Sequence, residues 1–362
     1  MRLPPPFSRR QALLRALVGL TAGRLSLEGA RPAHAAYTVV STGSISELRP
    51  KLADVAKKLG DKTFEEEPYL FGEKAQLEFD IQSLEKNKAY AQQMSADVAA
   101  GMRSFYQSMR IGVPDMDKAV TFWTKGCGAL VLDTKLVNGV NVTRIGFGPQ
   151  SIRRDDGAKF ALEMVEGPST SFETGGVLQY VQLAIPIFRL SQVMKNGGDI
   201  QSAYGWTQLT APGGLPLRVH IDESRRDPFE FVALRTSSLK SSVAHYESLG
   251  LRKVDEKSGR KVELSINKNT IFENSDAYEP DREVGSILMS YGDKKAETGV
   301  LLLPPLKGAK LITGSNGAAA DPMPPVMSFV GAPAIVDRPG PDGVLSVFTP
   351  IEEFEASLVK TA

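Results

Sequence analysis

Cysteine, histidine and long apolar runs are scarce in this 362-residue chain. The single cysteine, Cys127, excludes a disulfide within the chain and any cysteine-rich zinc site. Of three histidines, His34 lies near the N-terminus, which leaves His220 and His245 for chemistry in the body. No apolar run reaches the roughly 18 residues of a spanning helix, so a polytopic membrane protein is excluded. Neither sign of charge is in excess. The formal net charge is +1, and without residues 1–35, which hold six arginines and one glutamate, it becomes −4. A mildly acidic body offers no footprint for a phosphate backbone, so no nucleic-acid partner is expected. Hydrophobic residues at 42% and charged residues at 23% are ordinary for a globular protein and exclude wholesale disorder. The length corresponds to two or three domains.

Residues 1–35 have the layout of a targeting leader. Ser8-Arg9-Arg10-Gln11 precedes a modest apolar stretch, Leu13 to Ala22, and Ala33-His34-Ala35 presents small residues where a signal peptidase cuts before Ala36. The paired arginines and the weakly apolar core resemble a twin-arginine leader, which implies export of a folded protein to a bacterial periplasm or a thylakoid lumen. In an oxidising compartment a lone cysteine is expected to be a packing residue rather than a nucleophile.

From Ser44 to Met102 the sequence is helical in character. Leu48, Leu52, Val55 and Leu59 recur at helical spacing, and a second run carries Leu77, Ile81, Leu84, Ala91, Met94, Val98 and Met102. Gly60 and Glu65-Glu66-Glu67-Pro68 mark a break between them. Two helices with apolar stripes form an arm, spanning 36–102, that either packs on the body or docks on a larger membrane-associated assembly.

Beyond residue 103 the chain repeats itself. Met109-Arg110-Ile111-Gly112-Val113 leads into a helix carrying Val120, Phe122 and Trp123. At an offset of 123 residues, Val232-Ala233-Leu234-Arg235-Thr236 leads into a helix carrying Val243 and Tyr246. Each helix ends at a glycine and is followed by a strand. The tails correspond too: Pro212-Gly213-Gly214 and Pro341-Asp342-Gly343 each form a turn that feeds a closing strand. Gln179 to Ile185 opens a further strand–helix unit. The pattern predicts an α+β body of about four βαβββ units in two pairs, 103–225 and 226–350, followed by a tail over 351–362.

This cadence resembles the vicinal oxygen chelate superfamily, the fold of glyoxalase I, extradiol dioxygenases and bleomycin-resistance proteins. The resemblance implies that each pair of units curls into a cup. There a divalent metal is held by His or Gln on the first strands and Glu on the fourth strands. Carried over to the first pair, those positions hold Ser108, Glu163, Tyr180 and Arg218, of which only Glu163 matches. Arg218, in place of a carboxylate, is expected to pair with Glu163 across the cup. Strand alternation adds Arg110, Gln182 and His220 to the same faces. In the second pair the positions read Phe231, Leu302 and Val347, with the remaining one unassigned near Leu311, an apolar set that cannot chelate.

The expectation is therefore a protein without a cofactor that binds a small anionic or oxygen-rich molecule in its first cup. One alternative is a glyoxalase-type metal-dependent lyase with Glu163 as catalytic base and Gln107 or His220 as ligands. Another is a non-catalytic lumenal or periplasmic subunit that docks to a membrane complex through its 44–102 helices.

Overall fold

The protein is described here from a computed structural model covering residues 45–137, 139–148, 150, 152, 159–168, 170, 176–186, 189–197, 199–203, 206–221, 227–256, 282–292, 297–306, 325–331 and 338–359. The leader lies outside the described residues, as does the segment around Leu311. No described helix is long and apolar enough to cross a membrane.

The arm consists of α1 (Ile45–Leu59) and α2 (Pro68–Ala99). Gly60, at φ +50°, ends the first helix, and Pro68 opens the second, where a missing N–H costs nothing. Leu48, Val55 and Leu59 of α1 pack on Leu77 and Ile81 of α2. The far end of α2 places Met94 and Val98 against Phe105, Val330 and Phe354 of the body. The described stripe residues Leu48, Val55, Leu59, Leu77, Ile81, Met94 and Val98 thus pack within the chain, whereas Met102, just past the end of α2, is 70% exposed.

The first unit comprises β1 (Phe105–Val113), α3 (Met116–Thr121), β2 (Leu130–Val137), β3 (Val140–Gly146) and β4 (Ala161–Glu166). A π-turn over Phe122–Gly126 extends α3 and turns the consecutive rings of Phe122 and Trp123 inward. The second unit comprises β5 (Leu178–Ile185), α4 (Leu190–Lys195), β6 (Asp199–Ala203), β7 (Trp206–Thr210) and β8 (Pro216–Ile221). The third comprises β9 (Phe229–Arg235), α5 (Leu239–Ser248), β10 (Arg252–Glu256), β11 (Ile287–Ser290) and β12 (Gly299–Leu303). Strands β13 (Val326–Val330), β14 (Arg338–Pro339) and β15 (Leu345–Thr349) belong to the fourth. In each unit the first strand lies parallel to the last. The tail expected over 351–362 contains a helix, α6 (Ile351–Val359), whose Phe354 is stacked edge-on against Phe105.

The units do not pair in chain order. One sheet runs β14-β15-β13-β1-β4-β3-β2 and the other β10-β11-β12-β9-β5-β8-β7-β6. Units one and four therefore share a sheet, and units two and three share the other, which corrects the expected pairing of 103–225 and 226–350. Strand β9 lies antiparallel beside β5, so the second and third units close on each other. Strand β1 is then paired with β13. We call the face of the first sheet that carries Ser108 and Arg110 the outer cup, and the face of the second that carries Tyr180 and Gln182 the inner cup.

The opposite faces of the two sheets share one apolar core. Phe229 of β9 meets Trp123, and Phe160 beside β4 meets both Phe229 and Tyr106, at ring separations of 4.8–5.6 Å. Cys127 is buried within this core, and burial pushes its thiol up, away from the thiolate that a nucleophile needs.

Candidate functional site

The sheet pairing divides the predicted site residues into two groups. Ser108, Arg110 and Glu163 lie on the outer cup; Tyr180, Gln182, Arg218 and His220 lie on strands of the inner one.

On the outer cup, β1 and β4 run side by side with Arg110 in register with Glu163. The Arg110 Nε donates to Glu163 Oε1. The expected pairing of Glu163 with Arg218 is therefore not formed, because the two residues belong to different sheets and a nearer arginine takes the carboxylate. Across the remaining strands, Ser108 faces Ser328 and Ser328 faces Val347. The fourth unit's opening strand is thus β13, and its counterpart of Ser108 is Ser328, the position left unassigned near Leu311. On the other side of Glu163, Arg144 donates from Nε to Asp133 at 2.9 Å and from Nη1 to Gln150 at 3.2 Å. Gln107 occupies a β-bulge in β1, with its backbone carbonyl accepting from Gln150 Nε2 at 2.9 Å.

A divalent metal does not fit this donor set. Two hydroxyls, a valine and a carboxylate already engaged by a guanidinium leave no group of borderline or hard ligands to displace water from a cation. Among the described residues no group of three or more His, Cys, Asp and Glu could hold a metal. Of the residues that the lyase alternative names, Gln107 and Glu163 lie on adjacent strands of the first sheet and His220 lies on a strand of the second.

The inner cup carries two unlike walls. The polar wall is a row across three strands: Gln182 of β5 in register with Arg218 of β8, and Arg218 with Gln208 of β7. Next to it on β5, Tyr180 is 6% exposed. The Arg218 guanidinium lies 4.0 Å from the centroid of the Tyr180 ring and donates from Nη1 to its hydroxyl at 3.2 Å. His220 follows Arg218 on β8, paired with Ala184 and Trp206; its side chain lies outside the described residues. The apolar wall lies on the other side of β5. Ala233 of β9 pairs with Tyr180, Leu301 of β12 with Ala233, and Leu288 of β11 with Leu301. Phe231 and Leu303 complete this cluster. Leu302, assigned to the cup from sequence, faces the shared core, and its neighbours Leu301 and Leu303 line the cup.

Three residues that sequence reading missed complete this cup. Glu230 accepts from Gln182 Nε2 at 2.5 Å. Arg235 donates from Nη1 to Glu283 at 2.6 Å and to the Pro304 carbonyl at 2.8 Å. Arg282 pairs with Asp255 at 2.5 Å. A signal for two of them existed in Phe229-Glu230-Phe231-Val232-Ala233-Leu234-Arg235, where every residue is buried and only Glu230 and Arg235 are charged.

Burial raises the Tyr180 phenol above its ordinary value. Arg218, Arg282 and Arg235 oppose that shift, and Glu283 adds to it. The net direction keeps the phenol protonated at neutral pH. Three guanidiniums thus lie near enough to one buried tyrosine to act on its charge.

Several polar atoms here remain unmatched. The Gln182 Oε1, the Arg235 Nε and the Arg282 Nη1 are enclosed and make no hydrogen bond. Gln182 is 3% exposed and Arg235 7%.

No protein-family model matches the sequence, and no curated protein is significantly similar to it. Solved structures do match. Glyoxalase I from Zea mays superposes with a TM-score of 0.53 at 17% identity, over 72% of this chain and 96% of that one. Two crystal structures of mutants of the same enzyme give 0.53 at 16% identity and 0.51 at 17%, covering 74% and 70% of this chain and 99% and 96% of theirs. The chain has the glyoxalase I fold. At these identities the likeness establishes architecture alone, and any activity rests on the residues in the cups.

Proposed function

We propose that this glyoxalase-like protein binds a small organic or oxygen-rich anion in its inner cup without a resident metal. The observation that carries the reading is the pair of buried, unmatched donors on Arg235 and Arg282, in the same cup as the Arg218–Tyr180 stack. A buried donor without a partner costs roughly 1–3 kcal/mol, more when charged, so such a group is well explained by a ligand oxygen that completes it. Arg218, stacked on the Tyr180 ring, adds a further positive charge to the cup that receives the anion. The outer cup plays no part in this reading, because Arg110 and Glu163 satisfy each other there.

The test is calorimetric titration of the purified full chain with acetate, citrate, sulfate and phosphate, repeated on Arg218→Gln and Arg110→Gln. Saturable binding that is lost in Arg218→Gln and retained in Arg110→Gln is expected. Absence of binding by all four anions would overturn the reading, as would binding that is indifferent to Arg218.

The leader motif supports a second proposal, that the protein is exported and cleaved before Ala36. N-terminal sequencing of the protein isolated from its native source checks this directly, and a mature chain that retains Arg9-Arg10 would exclude it.

A further inference from the structure

Among the described residues each sheet has two terminal strands, and three of the four are poorly suited to take a partner. β14 is two residues long and contains Pro339. β10 puts Arg252, Lys253, Asp255 and Glu256 into five residues, and β6 is equally short. Short length, proline and dense charge are common protections of an open edge. β2 has eight residues, no proline and, among the described residues, β3 as its one neighbour. Along it Val131, Leu136 and Val137 are 45%, 71% and 48% exposed. We infer that β2 pairs antiparallel with the β2 of a second copy of this chain, about a two-fold axis, to give a dimer.

The residues of this edge select that partner. Val131-Leu132-Asp133-Thr134-Lys135-Leu136-Val137 is a palindrome about Thr134 except at one pair of positions. In an antiparallel pair centred on a two-fold axis at Thr134, each residue faces the one equally far from Thr134 on the other copy. Valine then faces valine, leucine faces leucine and threonine faces threonine. The one pair that breaks the mirror carries opposite charges, so Asp133 of each copy faces Lys135 of the other. Moving the axis to either neighbouring residue would set Asp133 against Asp133 or Lys135 against Lys135, so the charges also fix the register. The carboxylate is already in place for an incoming lysine: Arg144 donates to it from Nε at 2.9 Å, and Lys135 of its own strand lies 3.1 Å away. The bulge of β2 lies beside Leu132 and leaves Asp133 to Val137 in continuous register with β3. The three central pairs are therefore formed by regular strand in both copies, and each supplies the backbone N–H and C=O groups that an edge leaves open.

The experiment is sedimentation equilibrium of the full chain over a concentration series. A reversible monomer–dimer equilibrium in the micromolar range is expected, since an interface of one strand from each copy is small. A monomer throughout the series would overturn the inference and leave the edge to solvent or to a strand of another protein. Thr134 lies on the axis, where any new side chain meets its own copy. Thr134→Lys and Thr134→Glu are each expected to weaken the dimer about fivefold, and an equimolar mixture of the two to restore it. A dimer that both variants leave unchanged, or no recovery on mixing, would place the contact elsewhere and overturn the proposal. Should either variant fail to fold, Thr134→Cys decides. Facing Cα atoms in an antiparallel pair lie about 4.5–5.5 Å apart, within disulfide reach, and the native Cys127 is buried. Mild oxidation is expected to cross-link Thr134→Cys into a covalent dimer. Cross-linking no faster than that of Leu345→Cys, an exposed position on β15 of the same sheet, would refute the pairing.

Discussion

Asp342 shows how a single side chain can hold a repeat unit in place. It is 6% exposed and accepts from the Ser237 backbone N–H at 2.8 Å, the Ser237 hydroxyl at 2.6 Å and the Ser242 hydroxyl at 2.8 Å. The Pro-Asp-Gly turn recognised in the sequence as the entrance to a closing strand therefore also anchors the β9–α5 corner of another unit. Replacing Asp342 with Ala leaves three donors without their acceptor, and the expected loss is about 2–4 kcal/mol of unfolding free energy. Asp342→Asn keeps one amide oxygen and is expected to lose less. Urea unfolding of the three proteins measures the difference, and a change below about 0.5 kcal/mol for the alanine variant, the range of an ordinary surface substitution, would refute the anchoring role. The turn was legible because Pro, Asp and Gly each have a local reason to be there. Its long-range partners were not, because nothing in Ser237 or Ser242 marks them as donors to a residue about a hundred positions away.

At the scale of elements, α2 is fixed to the body by polar contacts as well as by its apolar stripe. Near its start, Gln76 accepts from Arg189 Nε at 2.8 Å and donates to Asp80 at 2.7 Å, while the other Asp80 oxygen is enclosed and makes no hydrogen bond. Burial pushes the Asp80 carboxyl up to about 7, against the opposing pull of Gln76 and Arg189. An unfolded aspartate releases its proton near pH 4, so between pH 4 and 7 the folded state holds a proton that the unfolded state has lost. Stability contributed by this group is therefore lost as pH rises through that window. Asp80→Asn is expected to raise the melting temperature at pH 8 and to leave it nearly unchanged at pH 4. Melts at both pH values check this, and an offset independent of pH would refute it. At the far end, Tyr90 and Arg103 both donate to Glu297 across Gly292, where a side-chain methyl group would collide with the Tyr90 hydroxyl and the Glu297 carboxylate. Gly292→Ala is expected to loosen this end of α2, seen as faster amide exchange over residues 90–99 than over 68–80; uniform exchange along the helix would count against it. Both helices of the arm were legible from apolar spacing. The π-turn at Phe122 and the bulges at Gln107 and Glu230 were not, since an extra residue in a strand leaves no trace in composition. Leu302 went to the wrong face for a related reason: β12 is apolar on both faces, so no alternation reveals its register.

The whole molecule depends on which unit closes against which. Internal repetition identifies units that are alike, not units that touch, so the offset of 123 residues could not distinguish pairing in chain order from the nested arrangement seen here. The nested arrangement has a physical consequence for any attempt to divide the chain. A fragment spanning 103–225 contains two complete units yet neither complete sheet. Its β1 would lack β13 and its β5 would lack β9, two antiparallel partnerships at the centres of their sheets. Central strands with an open edge expose unpaired N–H and C=O groups and both apolar faces, a condition that favours aggregation over folding. A fragment spanning 176–306 has the same kind of size but contains the whole β10-to-β6 sheet with the inner cup. It loses the share of the common core supplied by Trp123 and Phe160, so it is expected to be less stable than the full chain while keeping a cooperative urea transition. The fragment 103–225 is expected to show no such transition. Circular dichroism during urea titration of both fragments separates the cases: cooperative unfolding of 103–225, with failure of 176–306, would mean that chain order rather than strand pairing sets the folding units.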